Sequence, residues 1–178
     1  MLDGFQEPFV GKSVEFKTPN LDQLYHESVR LTDYHVAPTC TPTRAAILAG
    51  RYQQRSGFYT TAASRDGLSL DERLLHEYLK DAGYVTGGFG KWHLGGNLQP
   101  QEGFSFWVTK PHGHSKGFYH QEVIEDGQIR VEPTYLTDYW TERAVEFIQA
   151  NRSQPFFLFL AYNGPYGLGS AMHEPIRN

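Results

Sequence analysis

The run Phe156 to Tyr162, which follows Pro155 and reads FFLFLAY, is the strongest folding constraint in this chain, being apolar enough to form a strand buried on both faces of a sheet. Ahead of it, Trp140, Ala144, Phe147 and Ile148 mark a helix. The same order occurs earlier. Ser69 and Glu72 form a capping-box pattern, Leu75, Tyr78, Leu79 and Ala82 follow at helical spacing, Gly83 ends the helix, and Tyr84 to Phe89 reads as the next strand. Helices alternating with strands predict an α/β fold with a largely parallel sheet flanked by helices. The ligand crevice of such a sheet lies beyond the carboxyl ends of its strands.

Nearer the N-terminus, Thr18-Pro19-Asn20 opens a short helix carrying Leu21, Leu24 and Tyr25 and ending near Ser28. Val29 to Val36 alternates as a strand does, although neither face is cleanly apolar. Thr41-Pro42 repeats the cap-then-proline signal, and Arg44 to Ala49 is helical in composition until Gly50, which puts Cys40 at a helix N-terminus. From Gly95 to Pro133 periodicity is lost, apart from a hairpin in which Gln121–Ile124 and Gln128–Val131 flank Glu125-Asp126-Gly127.

At 178 residues the chain is one domain or part of one. With 39% hydrophobic and 20% charged residues it is globular rather than disordered, and a formal net charge of −4 without a basic stripe argues against a nucleic-acid partner. No apolar run approaches the length of a membrane span, and the start MLDGFQEPFV lacks the layout of a secretory signal, which leaves the location open. Cys40 is the single cysteine, so disulfides within the chain and cysteine-built zinc sites are excluded.

A lone cysteine is ordinarily a small buried hydrophobe. Cys40-Thr41-Pro42-Thr43-Arg44 is a different context, with a cation four positions on and a helix start that aims backbone N–H groups at an anion. Continued from Thr43 to Arg51 as TRAAILAGR, the stretch resembles the signature of the sulfatase family, in which a CxPxR pattern marks the cysteine for oxidation to formylglycine. Thr18–Asp22 is similar to the family's TPNLD segment, Gly90–Gly95 to its GKWHLG segment, and QPFFLFLAYNGP from Gln154 to Pro165 to the strand and loop that bring a further histidine to the active site. The resemblance is weakest from Gly103 to Glu132.

What the resemblance implies is an alkaline-phosphatase-like catalytic domain, with residues 1–178 as an incomplete part of it, that hydrolyses sulfate esters of aryl or carbohydrate type. The aldehyde at position 40 hydrates to a geminal diol; one hydroxyl attacks sulfur, and the other collapses to expel sulfate. Arg44 would hold the diol, Lys91 would bind a sulfate oxygen, and His93, on the same side as Lys91 if that stretch is extended, would be the base of the elimination. His114, in Pro111-His112-Gly113-His114-Ser115, is a candidate substrate contact. Tyr166 stands where the family commonly has a histidine that protonates the leaving alcohol, and a phenol is the weaker acid at neutral pH.

The resemblance further implies a calcium ion bound in part by residue 40 as formylglycine. The family's Asp-Asp pair ahead of the TPNLD segment is not found before Thr18, and the later pair and a downstream lysine are also missing, so truncation at both ends and loss of calcium binding are expected. A formylglycine-generating enzyme is the implied partner, and a periplasmic or secreted location is implied for the full-length protein. Two rivals remain: a phosphonate or phosphate ester hydrolase of the same superfamily, and an inactive fragment that only binds sulfated ligands.

Overall fold

The computed structural model describes residues 18–60, 72–101, 103–111, 113, 115 and 117–164. Within them lie α1 (Pro19–Glu27), α2 (Cys40–Ala49), α3 (Leu75–Asp81), β1 (Val85–Gly90), β2 (Phe106–Thr109), β3 (Gln121–Glu125), β4 (Gln128–Glu132), α4 (Leu136–Asn151) and β5 (Phe156–Ala161). The five strands form one mixed sheet in the order β4-β3-β2-β1-β5. β1 runs parallel to both β2 and β5, while β3 and β4 add an antiparallel hairpin to the outer side of β2. The expected α/β arrangement of a sheet flanked by helices is therefore present.

Alternation along the strands sorts the core into two layers. Trp107, Ile124, Phe157 and Phe159 face a cluster with Ala45 and Leu48 of α2, Leu74, Trp92, Leu94 and Phe104. Val108, Val123 and Leu160 face Leu136, Tyr139 and Trp140 of α4. Phe147 of α4 extends this second layer, with its ring 5.3–5.7 Å from those of Phe89, Phe106 and Phe156. The buried Trp140 indole donates its N–H to Oδ1 of Asn163 at 3.1 Å, tying α4 to the loop after β5.

Several local expectations need correction. Val29–Val36 is not a strand; it is exposed and pairs with no strand among the described residues, so its weak alternation lacks the apolar face that would hold it in a sheet. α2 begins at Cys40 with Thr39 as N-cap, rather than with Thr41 as cap, and the Thr41 hydroxyl donates to the His93 carbonyl instead of capping. The helix expected from Ser69 begins at Leu75, where the Glu77 carboxylate accepts the Leu74 N–H and supplies one arm of a capping box; Ser69 itself lies outside the described residues. At α1 the Thr18 hydroxyl donates to Asp22 instead of capping the backbone. β5 is half-buried rather than buried on both faces, since it is an edge strand among the described residues. β2, four residues long, lies in the stretch where no periodicity is readable.

The expected hairpin forms, with a tighter turn than the three residues read from sequence: Glu125 pairs with Gln128, and Asp126 and Gly127 both have positive φ, as a two-residue turn requires. A charged cluster fastens it to α4. Arg130 donates to Glu125 and Glu132 and to the Tyr139 hydroxyl, and Arg143 donates to Glu125 and Glu146. Burial pulls the Glu132 carboxyl upward, but hydrogen bonds from Arg130 and from the Thr134 N–H and hydroxyl outweigh it and hold the group below its usual value of 4.5. A carboxylate depressed by folding contributes stability that is present above its unfolded pKa and is lost as pH falls through its folded pKa. The Glu132→Gln variant of the full-length protein should therefore show a lower urea midpoint than wild type at pH 7. That gap should shrink at pH 3, and an equal gap at both pH values would contradict the assignment.

Candidate active site

The site is assembled at the carboxyl end of β1 and the N-terminus of α2. Gly90 closes β1 with φ 88°, and a Cβ placed on it would lie 2.2 Å from the carbonyl oxygen of Ala161. Only glycine allows that approach. The neighbouring strands hold the turn, since Lys91 N–H donates to Ala161 O at 2.8 Å and Lys110 N–H to Gly90 O at 3.2 Å. Trp92 then enters the core, packing edge-on against His76, Phe104, Trp107 and Phe159 with centroids 5.2–6.3 Å away. His93 takes the left-handed region at φ 62°, and β1 ends at Gly90, so the stretch that carries Lys91 and His93 lies outside the strand.

These bends bring together residues far apart in sequence. The Cys40 Sγ lies 3.1 Å from Nδ1 of His93. Arg44, one turn further along α2, donates from Nη1 to the carbonyl of Lys91 at 2.6 Å. Arg44 and Lys91 are each 1% exposed, and Arg44 lies near the start of α2, whose N-terminal N–H groups favour negative charge. A helix N-terminus is the kind of place where an oxyanion binds. The loop entering α2 is fixed by Thr43, whose hydroxyl reaches the carbonyls of Ala37 at 2.9 Å and Thr39 at 2.8 Å.

Four of the residues singled out from sequence, Cys40, Arg44, Lys91 and His93, thus meet in one place. His114 and Tyr166 lie outside the described residues, and so does His112. Three neighbours carried no readable sign of their position. Thr41 donates its hydroxyl to the His93 carbonyl at 3.1 Å, although its sequence context suggests a helix cap. Gly113 packs directly on the His93 ring. Lys110 is buried beside β1 and reaches the Glu122 carbonyl at 3.4 Å; burial lowers its pKa against an opposing pull from Glu122. A lysine directly after an unrecognised strand gives no pattern by which to find it.

No group of three or more His, Cys, Asp or Glu able to hold a metal ion occurs among the described residues. The described part of the site therefore does not fit a calcium cage of six to eight oxygen ligands, and no step below passes through one. Two surface cavities, one behind α2 lined by Tyr34, Arg51 and Tyr52 and one between the hairpin and α4 lined by Phe106, Asp126 and Phe147, contain none of the four site residues. No helix among the described residues is long and apolar enough to cross a membrane.

The sequence profile of the sulfatase family matches residues 5–173. The chain belongs to the sulfatase family. Among curated members, it is 32% identical over 153 residues to an N-acetylglucosamine-6-O-sulfatase of Bacteroides thetaiotaomicron, an alignment covering 84% of this chain and 26% of that protein. It is 46% identical over 109 residues to arylsulfatase A of Bos taurus, covering 56% of this chain and 22% of that protein. The chain thus spans about a quarter of the length of these relatives. A solved structure of a protein in complex with its substrate D-glucosamine-2-N,6-O-disulfate superposes with a TM-score of 0.74 at 29% identity, covering 85% of this chain and 30% of that one. The fold of this sulfatase is accordingly the alkaline-phosphatase-like fold of its solved relatives, and a formylglycine-type mechanism is general to the family.

The turn that carries Lys91 to His93 depends on a glycine at its base. Gly90→Ala in the full-length sulfatase should lose about 2 kcal/mol of stability or more, because the methyl meets backbone rather than a movable side chain and the φ is left-handed. The measurement is the urea midpoint, and a value equal to wild type would show that the turn relaxes without cost.

Proposed function

We propose that this chain is part of the catalytic domain of a sulfatase that hydrolyses sulfate esters through a formylglycine made from Cys40. The observation that carries the reading is the 3.1 Å approach of the Cys40 Sγ to the His93 imidazole, beside the helix that carries the buried Arg44 and in the same turn as the buried Lys91. The thiol sulfur stands in for an oxygen on the hydrated aldehyde, since both are borne by the Cβ of residue 40. Membership of the family, together with the CxPxR pattern at Cys40, Pro42 and Arg44, supports the modification and makes a formylglycine-generating enzyme the proposed partner.

The chemistry follows from these groups. One hydroxyl oxygen on Cβ attacks sulfur, the bond from sulfur to the ester oxygen breaks, and the alcohol leaves with a proton. The second hydroxyl then gives its proton to His93, its electron pair forms the carbonyl, and the bond from Cβ to the sulfate oxygen breaks. Sulfate departs and the aldehyde is restored. Arg44, anchored through Lys91 O, would stabilise the ionised diol, and Lys91 would neutralise charge on the sulfate oxygens. Tyr166 as source of the leaving-group proton and His114 as substrate contact are proposed from sequence position alone. Calcium, held partly by residue 40, and a periplasmic or secreted location are proposed from the family resemblance.

A sulfated carbohydrate is the proposed substrate class, supported by the similarity to an N-acetylglucosamine-6-O-sulfatase and to a protein solved with a sulfated glucosamine. The similarity to arylsulfatase A favours an aryl sulfate as the second reading. Comparing kcat/KM for glucosamine 6-sulfate and an aryl sulfate on the full-length protein decides between them.

Co-expressed with a formylglycine-generating enzyme, the protein should carry the aldehyde at position 40 by mass spectrometry, and Arg44→Ala should lower the yield. Equal modification of both would refute the motif. Cys40→Ala should abolish turnover. His93→Ala should release a burst of about one equivalent of alcohol and then turn over slowly, because attack survives while elimination loses its base. A steady-state rate equal to wild type would remove His93 from the mechanism.

A further inference from the structure

His93 is held in an unusual way for a residue so close to the nucleophile position. Its backbone occupies the left-handed region, φ 62°, which residues other than glycine seldom adopt without a partner that fixes them. One such partner is Thr41, fully buried one residue after Cys40, whose hydroxyl donates to the His93 carbonyl at 3.1 Å. The ring is confined from the other side. A Cβ built on Gly113 would lie 2.0 Å from Cδ2, 2.3 Å from Cγ and 2.3 Å from Nε2 of His93. Because Cγ is among the atoms met, spinning the ring about its own bond does not clear the overlap; the whole side chain would have to leave, taking Nδ1 away from its 3.1 Å approach to Cys40.

We infer that Thr41 and Gly113 are positioning residues for His93: the Thr41 hydroxyl fixes the histidine's backbone, and the bare α-carbon of Gly113 leaves the space in which its ring reaches residue 40. The inference rests on the reading of His93 as base of the elimination step. Thr41 is thereby a link between the two halves of the site, since it sits on the same helical turn as the nucleophile position and holds the residue that acts on it. Neither residue touches the reacting atoms in this arrangement. Displacing a catalytic group by about 1 Å can cost on the order of a hundredfold in rate, so the expected losses are of roughly ten- to a hundredfold.

The test uses the full-length, formylglycine-bearing enzyme with Thr41→Val, Thr41→Ser, Gly113→Ala and His93→Ala, each checked for equal aldehyde content by mass spectrometry. Thr41→Val keeps the shape and removes the hydroxyl, while Thr41→Ser restores it. Thr41→Val and Gly113→Ala should keep the initial burst of alcohol and lose about ten- to a hundredfold in steady-state rate, Thr41→Ser should recover most of that loss, and adding either change to His93→Ala should cost nothing further. Wild-type steady-state rates in Thr41→Val and Gly113→Ala, with His93→Ala slow, would overturn the positioning role alone. A fast His93→Ala would overturn the reading beneath it. Equal losses in Thr41→Val and Thr41→Ser, or losses that multiply with that of His93→Ala, would show the two residues acting independently of His93 and would likewise reject the inference.

Discussion

The burial of Trp92 is the contact on which the site depends. Its indole is 2% exposed and lies among His76, Phe104, Trp107 and Phe159, drawn from α3, the loop before β2, β2 and β5. A tryptophan buries on the order of 200 Å² and packs through a ring of fixed shape, so its position is set by many neighbours at once. Lys91 and His93 are its direct chain neighbours. Whatever holds Trp92 therefore fixes where both leave the sheet, and the left-handed backbone at Gly90 and His93 is the local cost of turning the chain into and out of the core.

The charge arrangement has the opposite character. Burying Arg44 and Lys91 removes two cations from water, a cost that apolar packing alone does not return, and the Arg44 hydrogen bond to Lys91 O ties the two segments together. Buried charge of this kind departs from the agreement of local and global preferences that the apolar layers of the sheet show, as functional sites commonly do.

Where helix and strand signals were strong, the chain was legible residue by residue. Leu75, Leu79 and Gly83 bound a helix that is found, Tyr84–Phe89 leads into β1, and Asp126-Gly127 turns the hairpin, with Glu125 pairing as the last residue of its strand rather than as part of the turn. Val29–Val36 misled because alternation without an apolar face does not hold a strand in a sheet. β2 escaped notice because Phe106 to Thr109 is too short for a period to show, and it is a strand only because Gly87–Gly90 lies beside it in parallel register.

Cys40, Arg44, Lys91 and His93 could be named from the chain because their spacing within two short segments is itself the signal, as is the grouping of three segments in the family's order. Sequence by itself thus determined the family, the alternation of helices with strands, and the residues around the nucleophile position. Tertiary structure alone decided that the Cys40 sulfur meets the His93 ring across 53 positions, that the Thr41 hydroxyl serves His93 rather than its own helix, and that Gly113 must lack a side chain. The physical reason is that a spacing records what local backbone geometry allows, whereas a hydroxyl with two possible acceptors, or a gap the size of one methyl group, is settled only when distant elements pack.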